Sequence, residues 1–156
     1  MINVSKSIWI SAPREKVFSI ASDYRKWEDW YVGLSGVKPT TASITGTGCR
    51  YAYSIKFMGI RMPVETEIKD YTKNRGWKGV STRGMKHITS WNFEIIGNGT
   101  ILTMGITSGI PVPVVGILLD HGIMKSYFEN NILASLTRLK RKIEACDLVE
   151  NIQPLQ

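Results

Sequence analysis

Two side chains in this chain can exchange a proton near neutral pH, His87 and His121. His121 follows Ile117 by four residues and precedes Met124 by three, which is the spacing of one helix face. His87 shares its parity with Trp91 and Phe93, which is the spacing of one strand face. Both histidines are therefore expected to point inward. There either one acts as a general acid/base or anchors a ligand carbonyl, or it simply fills a cavity mouth. The histidines and the two cysteines, Cys49 and Cys146, show no metal-ligand spacing, and the cysteines form no Cys-x-x-Cys pair. No paired carboxylates, Ser-His-Asp order, nucleophile elbow or phosphate-cradling glycine loop can be read. No metal and no cofactor are expected, and whether any reaction is catalysed stays open.

The aromatic residues are the second source of chemistry. Tyr51, Tyr53, Trp77, Trp91 and Phe93 fall on faces expected to point inward, while Trp27 and Trp30 would cap one end. Buried Tyr and Trp need partners for their polar atoms. These rings are either plain core or the wall of a site for a flat apolar ligand with a polar edge. Met104, Met124 and Phe128 fall on the same inner surfaces, and the methionines suit an adaptable pocket as well as they suit a core. The run Ile110-Pro111-Val112-Pro113-Val114-Val115-Gly116 is either an apolar gate that touches membrane during ligand exchange or a buried lead-in to a helix.

These residues need elements to position them. Ile2, Val4, Lys6, Ile8 and Ile10 alternate with Asn3, Ser5, Ser7 and Trp9, the pattern of a strand with one apolar face. Pro13 and Glu15 open a short helix carrying Val17, Phe18, Ile20 and Ala21, and Asp23 caps a second one with Trp27, Trp30 and Tyr31. Period-two segments follow: a weak strand over Val37–Ser43, then strands around residues 49–57, 62–69, 77–82, 87–95 and 102–107. Asn98-Gly99 reads as a hairpin turn. Glu65, Glu67, Lys69 and Lys78 fall on the outer faces. Finally Ile117, His121, Met124, Phe128, Ile132, Leu136, Leu139 and Ile143 form one long amphipathic stripe. Such a helix needs a broad apolar surface, and the concave face of a curved antiparallel sheet is the available one. A gap between the two is the default place for a ligand.

The chain has 156 residues, 43% apolar and 21% charged, which is the mix of one globular domain. Residues 1–145 are expected to form that domain and 146–156 a tail. The net charge is +7, but the basic residues are dispersed. The densest run, Arg138, Lys140, Arg141 and Lys142, suits a helix C-terminus, so nucleic acid ranks well behind a small molecule as partner. The start, Met1 to Lys6, reads as no signal peptide, and the run from Ile110 to Leu119 falls short of the roughly 20 residues that cross a bilayer. A cytoplasmic location with reduced thiols is the expectation.

The order of elements and three ordered motifs resemble one superfamily. The motifs are Ile8-x-Ile10-x-Ala12-Pro13-x-Glu15-x-Val17-Phe18 running to Asp23 and Trp27, then Trp91-x-Phe93-Glu94 with Gly97-x-Gly99-Thr100, then Pro113-x-x-Gly116-x-Leu118 with Leu136-x-x-Leu139-Lys140-x-x-x-Glu144. Over residues 2–145 the chain resembles the SRPBCC, START-like or helix-grip superfamily, and within it the polyketide cyclase/dehydrase and lipid-transport group. The resemblance implies an α+β helix-grip fold. A curved antiparallel sheet would wrap a long C-terminal helix, with two short helices after the first strand and an internal hydrophobic cavity. It carries over no catalytic set. The expected function is binding or transport of a small hydrophobic ligand, held by Tyr51, Tyr53, Trp77, Trp91, Phe93, Met104, His121, Met124 and Phe128. The alternatives are a cyclase/dehydratase- or hydrolase-type enzyme using the same cavity, with His121 or His87 as acid/base, and a basic module for RNA or membrane surfaces.

Overall fold

The computed structural model describes residues 1–109 and 121–152, with the side chains of the last helix through Cys146. Along the chain run β1 (Ile2–Ile10), α1 (Arg14–Ala21), a 3-10 turn (Tyr24–Lys26), α2 (Trp27–Trp30), β2 (Leu34–Pro39), β3 (Arg50–Phe57), β4 (Ile60–Thr72), β5 (Gly76–Arg83), β6 (His87–Ile96), β7 (Gly99–Ser108) and α3 (His121–Ile152). The strands form one antiparallel sheet in the order β1-β7-β6-β5-β4-β3-β2. This is the α+β helix-grip architecture, with α3 lying on the sheet. The gate expected over residues 110–116 lies outside the described residues.

Alternation along the strands decides which residues face α3. In β6, His87, Thr89, Trp91 and Phe93 are buried while Ile88, Ser90, Asn92 and Glu94 are exposed. In β7, Leu102, Met104 and Ile106 are buried, and in β1 so are Ile2, Val4 and Ile10. The outward carboxylates find cations across the surface: Glu67 lies 2.6 Å from Lys69, and Asp70 lies 3.0 Å from Lys78. Register shifts in the β4–β5 pair, at Glu65/Thr66 and Lys69/Thr72, bend the sheet. On the helix, Met124, Phe128, Ile132, Leu136, Leu139 and Ile143 are buried, as the stripe requires. α3 continues past Ala145 to Ile152.

Two local readings need correction. The strand read over Val37–Ser43 is instead β2, Leu34–Pro39. Its start follows directly from α2, whose Glu28 carboxylate accepts from the Val37 amide at 3.1 Å and from the Gly36 amide. Beyond it, Thr41 and Ser43 donate their hydroxyls to the carbonyls of Ser43 and Thr45, local bonds that compete with a ladder. The hairpin between β6 and β7 also turns one residue earlier than Asn98-Gly99 indicates. Ile96 pairs with Gly99, so Gly97-Asn98 are the central residues. Gly97 alone has positive φ, at 62°, which is the geometry of a type II′ turn.

A candidate ligand cavity between the sheet and the long helix

The two layers meet solidly over one half and leave space over the other. Leu136, Leu139 and Ile143, in the C-terminal half of the described helix, are wholly buried. This end is tied to β1: the Lys140 ammonium donates to the Trp9 carbonyl at 2.6 Å, and the Glu144 carboxylate accepts from the Ser11 amide at 3.0 Å. Under the N-terminal half lies a void of about 440 Å³, counted out to where it opens to solvent. Phe128, Asn131, Ile132 and Ser135 of α3 face Ile55, Phe57, Met104 and Ile106 of the sheet across it, with Met85, Lys56 and Tyr127 at its rim.

A second, inner void of about 390 Å³ lies between α2 and the middle strands. Its walls are mostly rings: Trp27, Tyr31, Tyr51, Tyr53, Trp77 and Trp91. Trp77 and Trp91 stack at 5.4 Å, and Trp27 stands edge-on to Tyr51 at 5.1 Å. Tyr31 walls both voids. Room clear of every wall atom is that of a water molecule or two in each, so a larger guest displaces side chains as it enters.

The interior polar groups form a short chain. The Nδ1–H of His87 donates to the Met85 carbonyl at 2.8 Å. A carbonyl only accepts, so the proton sits on Nδ1 and Nε2 is an acceptor. That nitrogen lies 3.3 Å from the Thr66 hydroxyl and 3.5 Å from the Tyr53 hydroxyl, which are themselves 2.8 Å apart. Burial pushes the His87 pKa down, and the Met85 bond opposes it without cancelling it. Burial also raises the pKa values of Tyr31, Tyr51 and Tyr53, so all three remain protonated donors at neutral pH. The Tyr51 hydroxyl donates to the Ile44 carbonyl. The Tyr31 hydroxyl has no partner among the described residues. Among the described residues that line the two voids, Lys56 is the only one with an ionised side chain.

His87 makes stability depend on pH. Its folded pKa is depressed below about 6.5, so the unfolded chain takes up the proton first as pH falls. The associated stability is whole above that value and is lost as pH drops through the folded pKa. Urea unfolding at about pH 7.5 and about pH 5.5, above the range where carboxylates titrate, is expected to give a lower free energy at the acid value. The His87→Gln variant should lose most of that difference; an unchanged slope would assign it elsewhere.

The structure sorts the residues singled out from sequence. Tyr51, Tyr53, Trp77 and Trp91 line the inner void, and Met104 and Phe128 line the outer one. Phe93 and Met124 are buried without lining either. Phe93 packs at 5.1 Å on Phe18, inside the aromatic cluster beneath α1. His121 corrects the expectation of an inward histidine. It is exposed, with Nε2 3.3 Å from the Met1 carbonyl. The stripe predicts the right side of the helix as far as Met124, which is buried, but His121 at the first residue of α3 lies beside the start of β1 and is exposed. Missed were Tyr31, Tyr127, Asn131, Ser135, Thr89 and Met85. The three residues Tyr127, Asn131 and Ser135 form an i, i+4 row beside the apolar stripe, a signal that the sequence did contain.

Among the described residues no cluster of His, Cys, Asp and Glu could hold a metal ion, and no helix is long and apolar enough to cross a membrane. A family model described as "Polyketide cyclase / dehydrase and lipid transport" matches residues 1–144. No curated protein matches the chain. Solved structures with the same fold include a Thermus thermophilus protein, 19% identical, TM-score 0.79, covering 92% of this chain and 98% of that one. A START superfamily protein from Mycobacterium smegmatis is 15% identical with a TM-score of 0.78, covering 92% and 98%. The Zhui aromatase/cyclase from Streptomyces sp. R1128 is 15% identical with a TM-score of 0.69, covering 91% and 93%. At these identities the likeness shows the fold alone.

Proposed function

Because this chain belongs to the polyketide cyclase/dehydrase and lipid-transport family, we propose that it binds a small, flat, uncharged hydrophobic molecule between the sheet and α3. One observation carries the reading. The Tyr31 phenol, held protonated by burial, stands between two voids with its hydroxyl unpaired among the described residues. A phenol donor that faces both spaces can give its hydrogen to a ligand acceptor there. The surrounding rings supply apolar area, at roughly 25 cal/mol per Å² before ordering costs. Among the described residues lining the inner void none is ionised, which favours a neutral guest over a carboxylate, whose desolvation none of them would offset.

The test uses two neutral probes: prodan, a flat ring system with one carbonyl acceptor, and pyrene, which has none. The native protein is expected to bind both. Tyr31→Phe should weaken prodan about tenfold, leave pyrene unchanged, and change stability by less than about 1 kcal/mol, since no hydrogen bond among the described residues is lost. Equal prodan affinity in the variant removes the anchor role, and failure of the native protein to bind either probe removes the carrier reading.

The Tyr53–Thr66–His87 chain favours a second reading, an enzyme of the cyclase/dehydratase kind. In it a wall hydroxyl takes a proton from the guest and passes its own to Nε2 of His87. His87→Gln would then keep binding and lose turnover.

A further inference from the structure

The outer void is lined by Lys56 and Phe57 at the end of the molecule where β3 turns into β4. The turn is Met58-Gly59, closed by the Phe57–Ile60 pair. Both residues have positive φ, 48° for Met58 and 84° for Gly59, the type I′ geometry that Asn-Gly serves best. Methionine is a poor residue there, and its side chain is 39% exposed. Ile60 beside it is 36% exposed, and Ile123 on the first turn of α3 is 54% exposed. The helix and the turn are held together by Tyr127, one helical turn after Ile123. Its hydroxyl accepts from the Met58 amide at 3.0 Å and donates to the Lys56 carbonyl at 3.3 Å.

Cations ring this apolar tip. Lys56 and Arg61 face each other across the hairpin, and Lys86 stands on the neighbouring β5–β6 turn. All three are exposed, and none has a carboxylate partner among the described residues. Apolar residues at a protruding tip, ringed by unpaired positive charge, complement a bilayer interface that carries negative headgroups.

We propose that this end docks on a membrane surface containing anionic phospholipid, with Met58, Ile60 and Ile123 entering the headgroup region. Docking there brings the Lys56, Phe57 and Tyr127 wall of the outer void close to the lipid. The surface is independent of the guest, so it is tested without one and stands or falls apart from the carrier reading.

The experiment is co-sedimentation with vesicles of phosphatidylcholine alone or with about 30% phosphatidylglycerol, at about 50 mM salt. The protein should sediment with the anionic vesicles only, and release as salt rises. Met58→Asn should weaken binding about fivefold while holding or raising Tm by about 2 °C, because asparagine suits the turn. Lys56→Gln with Lys86→Gln should weaken it about 25-fold, at about fivefold per charge. Lys78→Gln, on the outer face and away from the tip, should change little. No binding to the anionic vesicles overturns the proposal, as does Met58→Asn binding like the native chain or Lys78→Gln losing as much as a tip lysine. Retention of an RNA oligonucleotide in place of vesicles, or a dimer that Met58→Asn dissociates, also overturns it by giving the tip to another partner.

Discussion

A tryptophan in place of Ile106 is expected to reduce prodan binding about a hundredfold and to leave the fold within about 1 kcal/mol of its native stability. Ile106 is a buried residue of β7 that faces Phe128 and Ile132 across the outer void. In a solid core the added ring would strain its neighbours by about 1–3 kcal/mol. Here the ring takes the small clear space and displaces the flexible side chains of Met85 and Met104, which also line the void and yield to it. What the ring fills, a guest cannot. Losing most of its buried apolar area removes roughly 2–3 kcal/mol of binding, which is the hundredfold. Leu139→Trp is the control. Leu139 is wholly buried in the solid half of the helix contact, and its replacement should lose about 3 kcal/mol or more without a specific effect on the probe. Probe titration and thermal unfolding of both variants decide the matter. If Ile106→Trp unfolds as readily as Leu139→Trp, or binds prodan as well as the native chain does, the outer void is not the ligand chamber.

The contrast between those two positions bears on what the sequence could reveal. Periodicity places side chains on faces, and the faces came out as read: Met104 and Phe128 do look at each other across a gap, as Tyr53 and Trp91 do. Periodicity does not say where two faces touch. Leu136 and Phe128 belong to one stripe, yet one is clamped against the sheet and the other lines a void. That difference comes from where the ends of the helix are tied, through Glu144, Lys140 and Asp29, contacts between residues more than a hundred positions apart. His121 failed for a related reason, since a stripe extrapolates indefinitely and burial along α3 begins only at Met124. Tyr31 is placed by the sequence only on a short helix. It is the residue just after the four-residue α2, where no period operates and the backbone has already turned to an extended conformation. Its role follows entirely from where the crossover from β1 to β2 lays the ring. The residue that carries the functional proposal is therefore the one that local pattern was least able to find.

Gly99→Val is expected to lose about 4 kcal/mol, although valine is the better strand former by about 1 kcal/mol. A Cβ at this position would lie 2.5 Å from the Trp9 ring and 2.6 Å from the Ile10 carbonyl oxygen. Neither neighbour has an easy retreat. The carbonyl belongs to the residue paired with Thr100 in the β1–β7 ladder. The indole donates to the Ile96 carbonyl at 3.3 Å, and the Lys140 ammonium sits 5.3 Å from its ring centroid. Gly99 is thus glycine because an aromatic ring covers it, and not because it turns the chain. Gly97 does turn the chain, with φ of 62° and nothing within 4 Å of its missing Cβ. Gly97→Asn should accordingly cost about 1 kcal/mol or more through backbone strain alone, since the first central position of a type II′ turn favours glycine. Urea unfolding of the two variants separates the assignments. A turn centred on Asn98-Gly99 would leave the Gly97 variant unremarkable and make the loss at Gly99 recoverable by asparagine. A turn centred on Gly97-Asn98 makes Gly99→Asn as damaging as Gly99→Val, because the obstacle is the indole and the Ile10 carbonyl rather than the backbone angle.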